Sequence, residues 1–194
     1  MPRILLHTCC GPCLIAPLQQ LRARDWSVHG FFYNPNIQPY QEFERRLEAL
    51  RWLSQKEGME LIIREDYALE EFVRQTAFRE SQRCIYCYSV RLEAAARLAK
   101  KSRFDAFTTT LLYSKLQKHE LIRLIAEEAA RRFGIAFYYQ DFREQWKAGQ
   151  ETARRLGIYR QQYCGCIYSE KERFCRTKSA QSNGSAAPVE LGDE

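Results

Sequence analysis

Three cysteines lie within five residues, Cys9, Cys10 and Cys13, directly after the apolar run Ile4-Leu5-Leu6. Such a run reads as a strand buried on both faces. It stops at Thr8, Gly11 and Pro12 mark a turn, and Leu14, Ile15, Leu18 and Leu21 then repeat at helical spacing. The thiols therefore fall between a buried strand and a helix N-terminus. Open α/β sheets bind ligands there, and the backbone N–H groups and dipole of the helix favour anionic sulfur. Five further cysteines follow: Cys84 with Cys87, Cys164 with Cys166, and Cys175 alone. A scattered core population would not group in this way. Clustered thiols in a reducing compartment point to metal binding or redox chemistry rather than structural disulfides.

Three chemistries can use these groups. Zinc would take paired cysteines, although the gap from Cys13 to Cys84 far exceeds that of a zinc finger. Thiol–disulfide exchange would use Cys84-x-x-Cys87, but the motif does not follow the first strand of a thioredoxin-like pattern. An iron–sulfur cluster needs four convergent thiolates, and both cysteine pairs fall on one edge of the expected sheet. Cys164-Gly165-Cys166 is different in kind. Thiols separated by one glycine can close a small, strained and redox-active disulfide ring, or can serve as extra metal ligands.

The elements that must position these groups alternate along the chain. Strands are expected at Val28–Tyr33, Leu61–Ile63, Asp105–Thr109 and Ile135–Tyr139. Helices are expected at Cys13–Arg24, Gln38–Glu57, Leu69–Thr76, Val90–Lys101, Gln117–Phe133 and Trp146–Leu156. This order predicts an α/β fold: one domain over residues 1–176, with about five mainly parallel strands flanked by helices. Past Thr177 the chain is Ser, Ala, Gly and Asp without periodicity, which reads as a disordered C-terminal tail over 177–194. At 194 residues and 45% hydrophobic content the chain can bury a proper core. No run approaches the length of a membrane span and no basic-then-apolar leader precedes the first strand, so a cytoplasmic location is expected. The net charge of +6 permits a polyanionic partner. No Gly-x-Gly-x-x-Gly or Walker A sequence offers a nucleotide cradle.

Several of these stretches carry a family resemblance. Leu5-Leu6-His7-Thr8-Cys9-Cys10-Gly11-Pro12-Cys13, Phe32-Tyr33-Asn34-Pro35-Asn36-Ile37, Arg83-Cys84-x-x-Cys87-Tyr88, Thr108 to Leu112 with Ser114, and Tyr163-Cys164-Gly165-Cys166 together resemble the QueH family of epoxyqueuosine reductases. The resemblance runs in order from about residue 3 to 176. It implies a HUP-like α/β domain and a cobalamin-independent oxidoreductase that removes the epoxide oxygen of epoxyqueuosine in tRNA, the last step of queuosine biosynthesis. It also implies a 4Fe-4S cluster held by Cys9, Cys10, Cys84 and Cys87, and a redox-active disulfide at Cys164 and Cys166. A second metal, an additional iron or other divalent ion, would sit near Cys13. Where ATP-using relatives of the fold carry a Ser-Gly-Gly-type loop, this chain has Cys9-Cys10-Gly11-Pro12-Cys13, which argues against ATP use.

The implied reaction consumes two electrons and two protons and releases water. A 4Fe-4S cluster moves one electron at a time, so a dithiol at Cys164 and Cys166, or an adjacent metal, would complete the store; an external donor must supply the electrons. Asp141 at a strand end is the first candidate proton donor and Tyr113 the second. Arg154, Arg155, Arg160, Lys171, Arg173 and Arg176 are candidate phosphate contacts for tRNA, with Tyr159, Tyr163 or Tyr168 available to stack on a splayed anticodon-loop base. The competing class is a zinc-stabilised RNA-binding module without catalysis.

Overall fold

In a computed structural model that describes residues 1–175, the alternating pattern becomes five strands and seven α-helices. The order is β1 (Arg3–Thr8), α1 (Gly11–Arg22), β2 (Ser27–Phe32), α2 (Tyr40–Lys56), β3 (Leu61–Ile63), α3 (Leu69–Thr76), α4 (Arg83–Lys101), β4 (Ala106–Thr109), α5 (His119–Phe133), β5 (Ala136–Phe137), α6 (Trp146–Arg155) and α7 (Ile167–Phe174). The segment 177–194, expected to be a disordered tail, lies outside the described residues, as does Arg176.

All four strand pairings are parallel, in the order β3-β2-β1-β4-β5. The HUP-like architecture expected from the sequence is therefore present. The chain winds outward from β1 in both directions, so the switch point lies between β1 and β4. Right-handed crossovers place α1 and α2 on one face and α4 and α5 on the other. α6 packs beside α1, and α4 beside α5. Ile4, Leu5 and Leu6 are fully buried at the centre, as expected of a strand covered on both faces. No helix among the described residues is long and apolar enough to cross a membrane.

Three boundaries differ from expectation in ways that matter for the site. α1 starts at Gly11 rather than Cys13, because Pro12 suits a first turn whose N–H groups need no helical partner. α4 starts at Arg83 rather than Val90, so Cys84 and Cys87 occupy its first turn and a half. β5 is only two residues long, because it pairs on one side alone and the chain leaves the ladder after the bond from Tyr138 N to Phe107 O (2.9 Å). Gly11 also permits the close approach of α1 to α2. A Cβ there would lie 2.9 Å from the backbone oxygen of Ala49.

Candidate active site at the switch point

The C-terminal ends of β1 and β4 deliver the two sides of the site. Beyond β1, Cys9, Cys10 and Cys13 are buried, with their sulfurs all within 4.8 Å of one another. The sulfurs of Cys9 and Cys10 are 3.7 Å apart. Beyond β4, the Thr110 hydroxyl accepts from the Cys9 amide (3.3 Å) and donates to its sulfur (3.5 Å). Pro17 within α1 has no N–H, which frees the carbonyl of Cys13 from its usual helical partner. Hydrogen bonds from Cys10 and Cys13 hold the Cys9 thiol well below its ordinary range. Burial pushes Cys10 up, and Cys13 is pushed up chiefly by its hydrogen bond to Cys10.

His7, on β1 two residues before Cys9, is buried and its pKa is lowered to about 3 by burial and by the Arg91 charge. Its Nε2 faces the Tyr33 carbonyl (3.2 Å) and its Nδ1 the Thr109 hydroxyl (2.9 Å). The carbonyl can only accept, which assigns the proton to Nε2 and makes His7 a neutral strut of the sheet edge.

The second cysteine group comes from α4. Cys87 is buried, its thiol pushed up to about 12 by burial against the pull of Arg91. Arg91, one turn further along the same face, donates to the Cys87 sulfur (3.0 Å), the Cys87 carbonyl (2.9 Å) and Asn34 Oδ1 (3.4 Å). None of these partners is a carboxylate. A buried guanidinium keeps its charge, and the sulfurs of Cys87, Cys164 and Cys9 beside it balance that charge only as thiolates. Cys84, half-buried, lies one turn before Cys87. The structure gathers Cys9 and Cys10 with Cys13, whereas Cys87 lies against Arg91 and Cys84 stands apart from both at the start of α4.

The third group is the segment 163–166, which a second buried cation clamps. Arg46 on α2 pairs with buried Glu42 (2.6 Å) and donates to the carbonyls of Cys164 (2.8 Å) and Tyr163 (3.0 Å). Gln38 holds the same segment three ways, through Tyr163 Oη to its carbonyl (2.6 Å), its own amide to Gly165 O (2.8 Å), and Ile167 N to its Oε1 (3.2 Å). Gly165 has φ +150°, and a Cβ there would press on Asn36, Ile37 and Arg46 at 3.2–3.3 Å. The two thiols of this segment part company. Cys164 accepts from Gln117 Nε2 (3.1 Å) and lines the cavity, whereas the sulfur of Cys166 lies 3.5 Å from the Ser169 hydroxyl. Burial raises the Cys164 thiol, so it keeps its proton at neutral pH.

Cys9, Cys13, Cys164, Arg91, Gln161 and Tyr163, among others, line a cavity of about 100 Å³ at this edge. Asp141 is not among the lining residues. Its carboxylate is held by Arg143 (2.6 Å), whose hydrogen bonds lower it to about 2. At neutral pH it has no proton to give, so this geometry turns against Asp141 as a donor. Tyr113 is buried, and its hydroxyl is committed to the Trp146 carbonyl (3.1 Å). Tyr159, Tyr163 and Tyr168 direct their hydroxyls to Glu42, Gln38 and Thr76. Arg154, Arg155, Arg160, Lys171 and Arg173 are exposed, and Arg160 borders the cavity. Cys175 stands apart and exposed.

Sequence reasoning missed Arg46, Arg91, Gln117 and Gln161. Spacing offered one signal, because Arg91 is four residues after Cys87 and must share its helix face. Glu42 and Arg46 flank the apolar stripe of α2 and read as solvated charges.

A family model described as epoxyqueuosine reductase QueH matches residues 4–172. The epoxyqueuosine reductase QueH of Dehalococcoides mccartyi is 36% identical over 178 residues, which span 92% of this chain and 98% of that protein. That of Thermotoga maritima is 35% identical over 191 residues, spanning 93% and 96%. Among solved structures, a predicted subunit of tRNA methyltransferase from Methanocaldococcus jannaschii superposes with a TM-score of 0.57 at 11% identity, over 79% of this chain and 75% of that one. At that identity it is similar in fold alone.

Proposed function

The chain belongs to the epoxyqueuosine reductase QueH family, and from that premise we propose that it reduces epoxyqueuosine to queuosine in tRNA, in the cytoplasm, at the cavity between β1 and β4. The supporting observation is the buried thiol trio beyond β1, with Cys164 and the Arg91 guanidinium lining the same cavity. The reaction balances with the groups at hand. The epoxide carbon–oxygen bonds break, an alkene forms, and two electrons and two protons carry the oxygen away as water.

The donor set suits a soft metal. Cys9, Cys10 and Cys13 place three buried sulfurs within 4.8 Å of one another, a soft donor set of the kind that thiophilic metals take. Burial, and the guanidiniums that favour anionic sulfur, point the same way. We assign Cys9, Cys10, Cys84 and Cys87 to a 4Fe-4S cluster and Cys13 to a neighbouring second metal. When bound, the cluster supplies electrons singly and the second metal a Lewis acid.

The chain's own residues do the rest. Cys164 holds its proton beside the cavity and is the assigned hydrogen donor. With Cys166 it forms a dithiol whose oxidation to a disulfide releases two electrons and two protons, matching the reaction. Closing that bond requires Cys166 to turn from Ser169. Arg46 and Gln38 fix the backbone on which both thiols ride, and the Tyr163 ring helps to wall the cavity. Exposed Arg154, Arg155 and Arg160 are assigned to the tRNA backbone. The test is metal analysis of protein purified without oxygen. Iron and sulfide should be present, and each of Cys9→Ser, Cys10→Ser, Cys84→Ser and Cys87→Ser should lose most of both. Full retention in all four variants would overturn the ligand set. A colourless protein holding zinc alone would favour an RNA-binding module.

A further inference from the structure

Two glutamine amides face sulfur at this site, and they differ in one respect. Gln117 is satisfied at both ends: its Nε2 donates to Cys164 (3.1 Å) and its Oε1 accepts from the Tyr88 hydroxyl (2.7 Å). Gln161 is satisfied at one. Its Nε2 donates to the sulfurs of Cys10 (3.0 Å) and Cys13 (3.4 Å). Its Oε1 is buried and has no hydrogen-bond partner among the described residues. A buried carbonyl left unpaired costs about 1–3 kcal/mol, so such a group in a native fold calls for a partner.

The orientation of this amide follows from its neighbours. Metal-bound thiolates only accept hydrogen bonds, so the N–H₂ end must face Cys10 and Cys13 and the carbonyl must face away. Gln161 borders the same cavity as Cys9, Cys13 and Cys164. We infer that Gln161 is a substrate-positioning residue. It is anchored on the Cys10 and Cys13 sulfurs by its amide N–H₂ and accepts, through Oε1, a hydrogen bond from a hydroxyl or amine of the epoxide-bearing ring. The inference rests on the function proposed above and adds how the modified nucleoside is told from an unmodified one. A site that leaves a buried acceptor unpaired discriminates strongly against a ligand lacking the donor.

The experiment is equilibrium binding of the oxygen-free, metal-loaded enzyme to one tRNA in two forms, with epoxyqueuosine or with guanosine at the modified position. Wild type should prefer the first. Gln161→Met and Gln161→Ala should each weaken binding of the epoxyqueuosine form about tenfold, the worth of one buried hydrogen bond. Binding of the guanosine form should stay within about twofold, with unchanged metal content. In turnover the loss should fall on KM more than on kcat, because the contact exists before the reaction begins. Using two side chains of different volume guards against a packing artefact in either one. Unchanged discrimination in both variants would overturn the inference while leaving the proposed function standing. Equal weakening for both tRNAs, or loss of metal, would overturn it by showing a structural role. If wild type itself shows no preference, the substrate assignment and the inference fall together.

Discussion

At the scale of single residues, the site is governed by the competition between burial and the two guanidiniums. Burial holds Cys87 at about 12 and raises Cys10 and Cys164, so these thiols are protonated at neutral pH. A metal that takes Cys87 and Cys10 as thiolates must displace those protons. Protons then compete with the ion, and metal affinity should rise as pH rises from 6.5 to 8.5, by up to about tenfold per unit for each proton released. A flat profile in a competition assay against a chelator would mean that these thiols are not the ligands. Cys164 makes a sharper prediction, because its sulfur lines the cavity and lies outside the trio. Cys164→Ser should keep the metal and its absorption while slowing turnover at least a hundredfold. Oxidised wild type should show the Cys164–Cys166 disulfide by mass. A variant that loses metal along with activity would make Cys164 a ligand instead.

At the scale of elements, the clamp formed by α2 on the 163–166 segment was the part least visible in sequence. The apolar runs announced β1, β3 and α3 at or near their true bounds, and the Cys-Cys-Gly-Pro-Cys turn announced where the site would lie. Both rest on local spacing, which a linear chain displays. Glu42 and Arg46 do not, since a buried ion pair and a solvated one have the same i,i+4 signature, and the carbonyls of Tyr163 and Cys164 are more than a hundred residues away. For the same reason Asp141 looked like a free acid at a strand end, because only the fold shows the guanidinium of Arg143 closing on it. The clamp has a measurable consequence. Arg46→Met leaves Glu42 buried without its cation and should cost about 3–5 kcal/mol in urea unfolding. Adding Glu42→Gln should recover part of that loss, because no unpaired charge then remains. If Arg46→Met alone costs under about 1 kcal/mol, the pair is not buried as described.

At the scale of the whole molecule, the doubly wound sheet brings the end of β1 and the 163–166 segment to one edge, and exposed Arg160, beyond α6, borders the same opening. Each phosphate contact contributes to the salt dependence of tRNA binding. Neutralising Arg154 and Arg155 together should lower the slope of log affinity against log salt by about 1–2; an unchanged slope would place the tRNA on another face. All of this serves one claim, that the cysteine-lined cavity removes an oxygen atom from a modified base in tRNA. The most direct measurement supplies the oxygen-free enzyme with a low-potential reductant and tRNA carrying epoxyqueuosine, then digests the tRNA and weighs its nucleosides. The account predicts conversion to a nucleoside lighter by one oxygen atom, lost in Cys164→Ser and in the cluster-ligand variants. Epoxyqueuosine recovered intact from enzyme whose iron and sulfide are fully loaded would contradict it.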